Sequence, residues 1–377
     1  VGTRAKEYHA RLIYELGVIK KMGFVKYFLM VDDIIRWSRA QGIMVGPGRG
    51  SAAGSLVCYL MGITQLDPIK HGLYFERFLN PERVNLPDID VDFQDDRRSE
   101  VIDYIVNKYG QECVGQINTF GMLTVKSAFR DVARVFGINN MQVNILSKQI
   151  EDESSFEKVP ELASFASQFP EVVRYAKELS GTIRQVGVHA CGLSVASRPL
   201  REVCAVERRK DGFVSCWDMR NCEKFGLLKM DILGLTTLTI LAHARKLVME
   251  NYGTDIDFAA LPLDDEKTMA MFAAGECAGI FQFEGAAMSD LLRNLQASDF
   301  ETITAATALY RPGPLQAGLT DKFVKIAQGR ESERYSCPQL EPILAPTRSI
   351  LIYQEQIMRI FSELGGFSWA HADRIRK

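Results

Sequence analysis

The sequence predicts an α+β protein: a unit of mixed sheet and helices, interrupted by one helical insertion and followed by a mostly helical region. Three observations predict it. The segment Leu86–Phe93, LPDIDVDF, alternates strictly between apolar and acidic residues, the pattern of a half-buried strand. From about Phe120 to Arg184 the apolar spacing is helical almost throughout, with no convincing strand. Beyond Thr236 the pattern is again mostly helical, with turn punctuation at YRPGPL (Tyr310–Leu315) and LAPTRS.

Taken in order, the elements support that outline. Tyr8 to about Gln41 reads as two helices broken near Gly23, with Leu12, Leu16 and Ile19, then Ile34, Ile35 and Trp37, on their apolar faces. A glycine-rich loop, GPGRGSAAGS, spans Gly46–Ser55 and runs into the apolar LVCYLMGI. Asp95–Tyr109 returns to a helical period, with Val101, Ile105 and Val106 apolar. Strand-like pieces resume at VGVHACGLSVAS and DGFVSCWDM, and lead to Leu227–Leu235, LLKMDILGL, an apolar run interrupted by charge. No internal repeat, low-complexity tract or flexible linker is present.

Composition excludes little. The chain of 377 residues has room for two or three domains. Its 47% hydrophobic and 24% charged residues are the balance of an ordinary soluble globular protein. No apolar run approaches the roughly 20 residues of a membrane-spanning helix. No signal peptide is recognised, and Val1 in place of an initiator Met reads as an excised piece of a longer protein. The 8 cysteines contain no CxxC pair, which favours reduced thiols and a cytoplasmic location over a disulfide framework. A zinc site from Cys204, Cys216 and Cys222 is conceivable, but paired spacing and a nearby His are missing, so buried thiols are the preferred reading. A net charge of −2 does not advertise nucleic-acid binding, although phosphate contacts need only a local stripe of Lys and Arg.

The chemistry concentrates in three places. On the expected strand Asp88, Asp90 and Asp92 share one face, with Ile89, Val91 and Phe93 on the other. Carboxylates so spaced repel one another unless a cation neutralises them, and oxygen-only ligands suit a hard ion such as Mg²⁺. An acidic edge strand in water is the alternative; the apolar reverse face favours the metal. Asp231 is a charge inside the apolar run Leu227–Leu235, where burial without a partner is costly. It reads either as half of an ion pair with Lys229, two residues earlier, or as a further metal ligand with Lys229 reaching a phosphate. In the loop Gly46–Ser55, glycines allow backbone N–H groups close to an anion, Ser51 adds a hydroxyl and Arg49 adds charge. It is not a Walker A loop, and alone it reads as structural.

Together these strings resemble one family. GPGRGSAAGSL, FERFLNPER (Phe75–Arg83), PDIDVDF, LLKMDILGL, ALYRPGPL and IYQEQIM follow the successive motifs of the bacterial C-family replicative polymerases, the DNA polymerase III alpha subunits, across essentially the whole chain. The resemblance implies a polymerase β-like nucleotidyltransferase palm, at 1–119 and 188–240, with a helical thumb inserted at 120–187 and helical fingers at 241–377. It implies Asp88, Asp90 and Asp231 as catalytic ligands of two Mg²⁺ ions, and Asp92 as a supporting acid outside that triad. Arg49, Gly50, Ser51, Arg77 and Lys229 would meet the incoming triphosphate. His189, in GVHACG, is expected to be a hydrogen-bonded structural histidine.

The implied activity is template-directed transfer of deoxynucleotides from dNTPs to a primer 3′-hydroxyl, with primer-template DNA as partner. For the full-length protein a sliding clamp, a clamp loader and a proofreading exonuclease are implied as well. Family members begin with a PHP domain and continue past the fingers, and HADRIRK coincides with the start of a basic fingers helix that in the family approaches the nucleotide, so a chain running from Val1 to Lys377 is expected to extend primers poorly by itself. The alternatives are a fragment that only binds primer-template, or a different nucleotidyltransferase. Finally, Lys126, Arg130 and Arg134 recur every fourth residue and form a basic stripe on one helix, expected to touch DNA. Val125, Phe129, Val132 and Val135 are expected to supply its apolar contacts.

Overall fold

Gly23, at φ +80°, separates two opening helices, α1 (Gly2–Lys21) and α2 (Val25–Ala40); the left-handed backbone there suits a residue without a Cβ. The structure, a computed structural model, describes residues 2–82, 87–210 and 212–376. Arg83 at the end of FERFLNPER, Leu86 at the start of the expected strand, and Asp211 ahead of GFVSCWDM lie outside the described residues. The chain divides into two units, residues 1–104 with 231–377, and residues 105–230.

In the first unit α2 buries Ile34 and Ile35 as its spacing predicts. The first helix buries only part of the stripe its hydropathy suggests. Ile19 is buried as expected, but Leu16 is 48% exposed, whereas Val18 and the carboxylate of Glu15 are buried. A charged residue therefore occupies an inward position that hydropathy assigns to water.

The strands of the described residues are β1 (Asp90–Gln94), β2 (Val114–Met122), β3 (Ile183–Val195), β4 (Val206–Arg209), β5 (Gly212–Asp218) and β6 (Leu228–Leu235). The strand expected from Leu86 forms a ladder only from Asp90. Its alternation is as predicted: Ile89, Val91 and Phe93 are buried, while Asp88 is exposed and Asp90 and Asp92 are half-buried. β6 runs parallel to β1, with Asp90 opposite Asp231 and Gln94 opposite Leu235. The other regular elements among the described residues of this unit are helices, and Leu292, Ala306, Leu309 and Phe323 lie in their core.

The second unit departs from expectation at the ends of its insertion. Phe120–Met122 and Ile183–Arg184 are strand, not helix: β2 and β3 pair antiparallel from Val114 opposite Val195 to Met122 opposite Ile183. Ile183–Val186 are all exposed, so this stretch carries no buried alternation to mark it as strand. The helices run between Val125 and Leu179, around Phe129, Val132, Leu162, Phe165 and Val172. Val135, expected to make apolar contacts, is instead 81% exposed. On the other edge β2 pairs parallel with β5, which pairs antiparallel with β4.

The β2–β3 register jumps between Gln116–Leu193 and Asn118–Val188, so four residues of β3 oppose Ile117 alone. His189 closes this bulge: its Nδ1 accepts the backbone N–H of Gly192 at 2.8 Å and that of Cys191 at 3.3 Å. The imidazole serves the backbone, as the sequence suggested. Among the described residues no helix is long and apolar enough to cross a membrane.

Candidate active site

Neighbouring residues of a parallel pair point to the same face of a sheet, so the β1–β6 register sets the Asp90 and Asp231 side chains side by side. Asp88 precedes Asp90 by two residues and rejoins that face. One carboxylate oxygen from each of Asp88, Asp90 and Asp231 lies within 4.8 Å of the others. Among the described residues no other trio of His, Cys, Asp or Glu is so gathered. The three span the range of burial, from exposed Asp88 through half-buried Asp90 to Asp231 at 7% exposure. Three negative charges at this separation repel, and a divalent cation is the natural compensation. An all-carboxylate donor set suits Mg²⁺.

Behind the trio, the buried Tyr27 hydroxyl accepts the backbone N–H of Ile89 at 3.0 Å. Burial pushes that hydroxyl well above its ordinary pKa, and the negative field of Asp88 and Asp231 adds to the shift despite the Ile89 hydrogen bond.

The glycine loop is fastened to the same strand. Gly46 donates its N–H to the Asp92 carbonyl at 2.8 Å, and Gln94 donates to Met44 O at 2.9 Å. A Cβ on Gly46 would stand 3.1 Å from that of Asp92, a tight contact that glycine avoids where the two backbones approach. Gly50 has φ +62°, and a Cβ built there would lie 3.7 Å from Asp90 Oδ2. The loop thus meets the carboxylates at Gly50. Ser51 follows in a 3-10 turn (Gly50–Gly54) and is half-buried. Arg49 turns to Asp92, Nη1 to Oδ1 3.2 Å, which gives Asp92 a partner outside the trio.

A buried carboxylate that the sequence did not point to holds the far end of the loop. Glu15, with no exposed surface, accepts the Ser55 hydroxyl at 2.8 Å and the N–H groups of Leu56 and Val57, each at 3.0 Å. Those amides open the short helix α3 (Leu56–Leu60), where a carboxylate meets donors left without intrahelical partners. Arg11 balances the charge, Nε to Glu15 Oε1 at 2.6 Å, and donates Nη2 to Gly54 O at 2.8 Å and Leu73 O at 3.2 Å. The only signal was an Arg and a Glu four residues apart on a helix, a spacing ordinarily found on wet faces.

The other sequence-predicted residues are placed as follows. Arg77 is ion-paired with Glu355. Lys229 is half-buried on β6, two residues before Asp231 and on the same face of that strand. Lys126, Arg130 and Arg134 stand on α4 (Val125–Val135) in the second unit. Arg130 donates to Ser147 Oγ at 2.9 Å, and Arg134 pairs with Asp131 at 3.1 Å. Of the three cysteines weighed for zinc, Cys204 and Cys222 are buried, which raises their thiol pKa values, and Cys216 is exposed.

Comparison with known proteins accounts for the whole chain. The profile of the bacterial DNA polymerase III alpha NTPase domain matches residues 2–234, and that of the bacterial DNA polymerase III alpha subunit finger domain matches residues 237–377. The DNA polymerase III subunit alpha of Aquifex aeolicus (strain VF5) is 43% identical over 99% of this chain and 35% of its own length. The Yersinia pestis subunit is 44% identical over 100% of this chain and 33% of its own length, and the Thermus aquaticus subunit 44% over 97% and 31%. The chain therefore spans about a third of the length of these relatives. On the strength of these matches, the chain belongs to the bacterial DNA polymerase III alpha family.

Proposed function

We propose that the protein carrying this chain is a template-directed DNA polymerase that transfers deoxynucleotides from dNTPs to a primer 3′-hydroxyl in DNA replication. The observation that carries this reading is the convergence of Asp88, Asp90 and Asp231 beside Gly50. Family membership supports the same reading. In this account residues 1–119 and 188–240 are the palm, 120–187 the thumb and 241–377 the fingers. Asp88, Asp90 and Asp231 would hold two Mg²⁺ ions. When bound, these ions supply Lewis-acid activation of the attacking hydroxyl and neutralise charge on the triphosphate.

The protein's own part is to position and to complement charge. Asp231, buried in the ladder, is the rigid anchor of the trio, and exposed Asp88 faces the side from which substrate arrives. Gly50 lets the backbone approach the triphosphate, Ser51 offers a hydroxyl, and Arg49, Arg77 and Lys229 supply positive charge. The template is read by base pairing, while Lys126, Arg130 and Arg134 grip phosphates without sequence preference. In the intact protein a sliding clamp, a clamp loader and a proofreading exonuclease complete the machinery, in the cytoplasm.

Primer extension by the intact protein carrying this chain, run beside a DNA-binding assay, tests the reading. Template-dictated extension that Asp90→Asn abolishes, with primer-template affinity nearly unchanged, is the expected result. Addition that ignores the template would identify a different nucleotidyltransferase, and binding without extension would leave a DNA-binding fragment.

A further inference from the structure

We propose that Glu355 is the positioning residue for Arg77, and that the segment Leu73–Asn80 ties the finger-domain residues 354–376 to the nucleotide loop. The inference rests on the reading of Arg77 as a triphosphate contact and adds to it the group that aims the guanidinium.

The segment is built with two faces. Phe75–Arg77 is a 3-10 turn, with Tyr74 extended just before it and Asn80 in the loop after it. Phe75, Phe78 and Leu79 are buried, at 0%, 4% and 1% exposure, and fix the turn in the core. Tyr74, Arg77 and Asn80, each three residues on from the last, all meet residues matched by the finger-domain profile. The Tyr74 ring stacks on Trp369 with centroids 4.1 Å apart and planes 22° from parallel. Arg77 Nη1 pairs with Glu355 Oε1. Asn80 Nδ2 donates to Ala370 O at 2.8 Å and approaches Asp373 at 3.5 Å. Asp373 is itself buried and pairs with Arg376, which also reaches Gln354 at 3.0 Å.

The opposite end of the segment is fastened to the glycine loop. A Cβ on Gly54 would come within 2.7 Å of Tyr74 O, so the two backbones touch directly. Arg11 spans both carbonyls, Gly54 and Leu73. From there the loop runs back to Gly50 and Asp90 Oδ2.

Within this frame the Arg77–Glu355 pair is more than a surface contact. The side chains are 29% and 17% exposed, so water screens them only partly. Glu355 lies in the first turn of the helix Gln354–Arg359, where a carboxylate is stabilised by the helix dipole. A guanidinium carries five donors in a rigid fork, so one carboxylate held at Nη1 fixes the plane in which the others point. Glu355 acts through Arg77 and is not itself a substrate contact.

The test uses the intact protein carrying this chain, with primer extension at varied dNTP. Arg77→Ala is expected to raise the dNTP KM about tenfold, the scale of one charge-assisted hydrogen bond. Glu355→Gln is expected to raise KM several-fold with kcat nearly unchanged, Glu355→Asp to recover most of that loss, and the double variant Arg77→Ala/Glu355→Gln to be no worse than Arg77→Ala alone. Trp369→Leu, which removes the neighbouring stack and leaves both charges, is expected to shift KM in the same direction. A KM unmoved by Glu355→Gln while Arg77→Ala raises it overturns the positioning role and leaves the site reading intact. A fall in KM on Glu355→Gln would show that the carboxylate competes with the triphosphate, and overturns it too. A KM indifferent to Arg77→Ala removes Arg77 from the triphosphate and the inference with it. Thermal melting of each variant separates loss of fold from these kinetic outcomes.

Discussion

At the residue scale the approach of the loop to the carboxylates is set by the backbone at Gly50. Its φ of +62° is a left-handed conformation that a β-branched side chain strains, and a Cβ there would already be in van der Waals contact with Asp90 Oδ2, 3.7 Å away. Gly50→Val is therefore expected to raise the dNTP KM sharply in steady-state extension; an unchanged KM with lowered stability would show a turn that serves the fold alone. Glu15 gives a contrasting case. Three of its four hydrogen bonds are buried and the fourth, from Arg11, is partly so, and Glu15→Ala strands several donors and the Arg11 charge. The expected loss is about 3 kcal/mol in chemical denaturation, the scale of breaking a buried ion pair. The Asp alternation was legible because a strand's period of two is written in the residues themselves. Glu15 was not, because nothing local distinguishes an inward glutamate from a solvated one; its partners at Ser55–Val57 are some 40 residues away and supplied by the fold.

At the element scale the question is what a basic stripe on a helix does. α4 begins with a reciprocal cap: the Thr124 side chain accepts the Ser127 N–H at 3.2 Å, and Ser127 Oγ accepts the Thr124 N–H at 2.8 Å. The cap and the buried Val125, Phe129 and Val132 orient the helix and set Arg130 and Arg134 on its exposed side, with Lys126 half-buried. Asp131 is shared between Arg134 and Arg184, at 3.1 and 3.0 Å, so Arg134 is the most compensated of the three. Replacing Lys126, Arg130 and Arg134 together by Gln is expected to weaken binding of every primer-template sequence alike. The salt slope should flatten by about two to three units, close to one per lost phosphate contact. Fluorescence anisotropy across a salt series reads both quantities, and an affinity and slope matching the parent would return the stripe to ordinary surface. Helix periodicity announced this element, but β2 and the first residues of β3, on either side of the insertion, stayed hidden. β3 is exposed from Ile183 to Val186, and its pairing with Phe120–Met122 is a long-range fact that no local pattern records.

At the scale of the whole molecule, a carboxylate pair at Asp88 and Asp90 and a third at Asp231 are separated by more than a hundred residues and joined by one parallel register. The sequence suggested the convergence through two apolar, strand-like runs with acids inside them. The register itself, Asp90 opposite Asp231, is a property of the assembled sheet and could not be counted off the chain. Equilibrium titration with Mn²⁺ as a paramagnetic stand-in for Mg²⁺, in the presence of triphosphate and followed by electron paramagnetic resonance, addresses this convergence without requiring turnover. If the three carboxylates form one divalent-cation site, Asp88→Asn, Asp90→Asn and Asp231→Asn will each weaken Mn²⁺ binding, with buried Asp231 costing at least as much as exposed Asp88. Binding that persists at parental strength in all three folded variants would contradict the account.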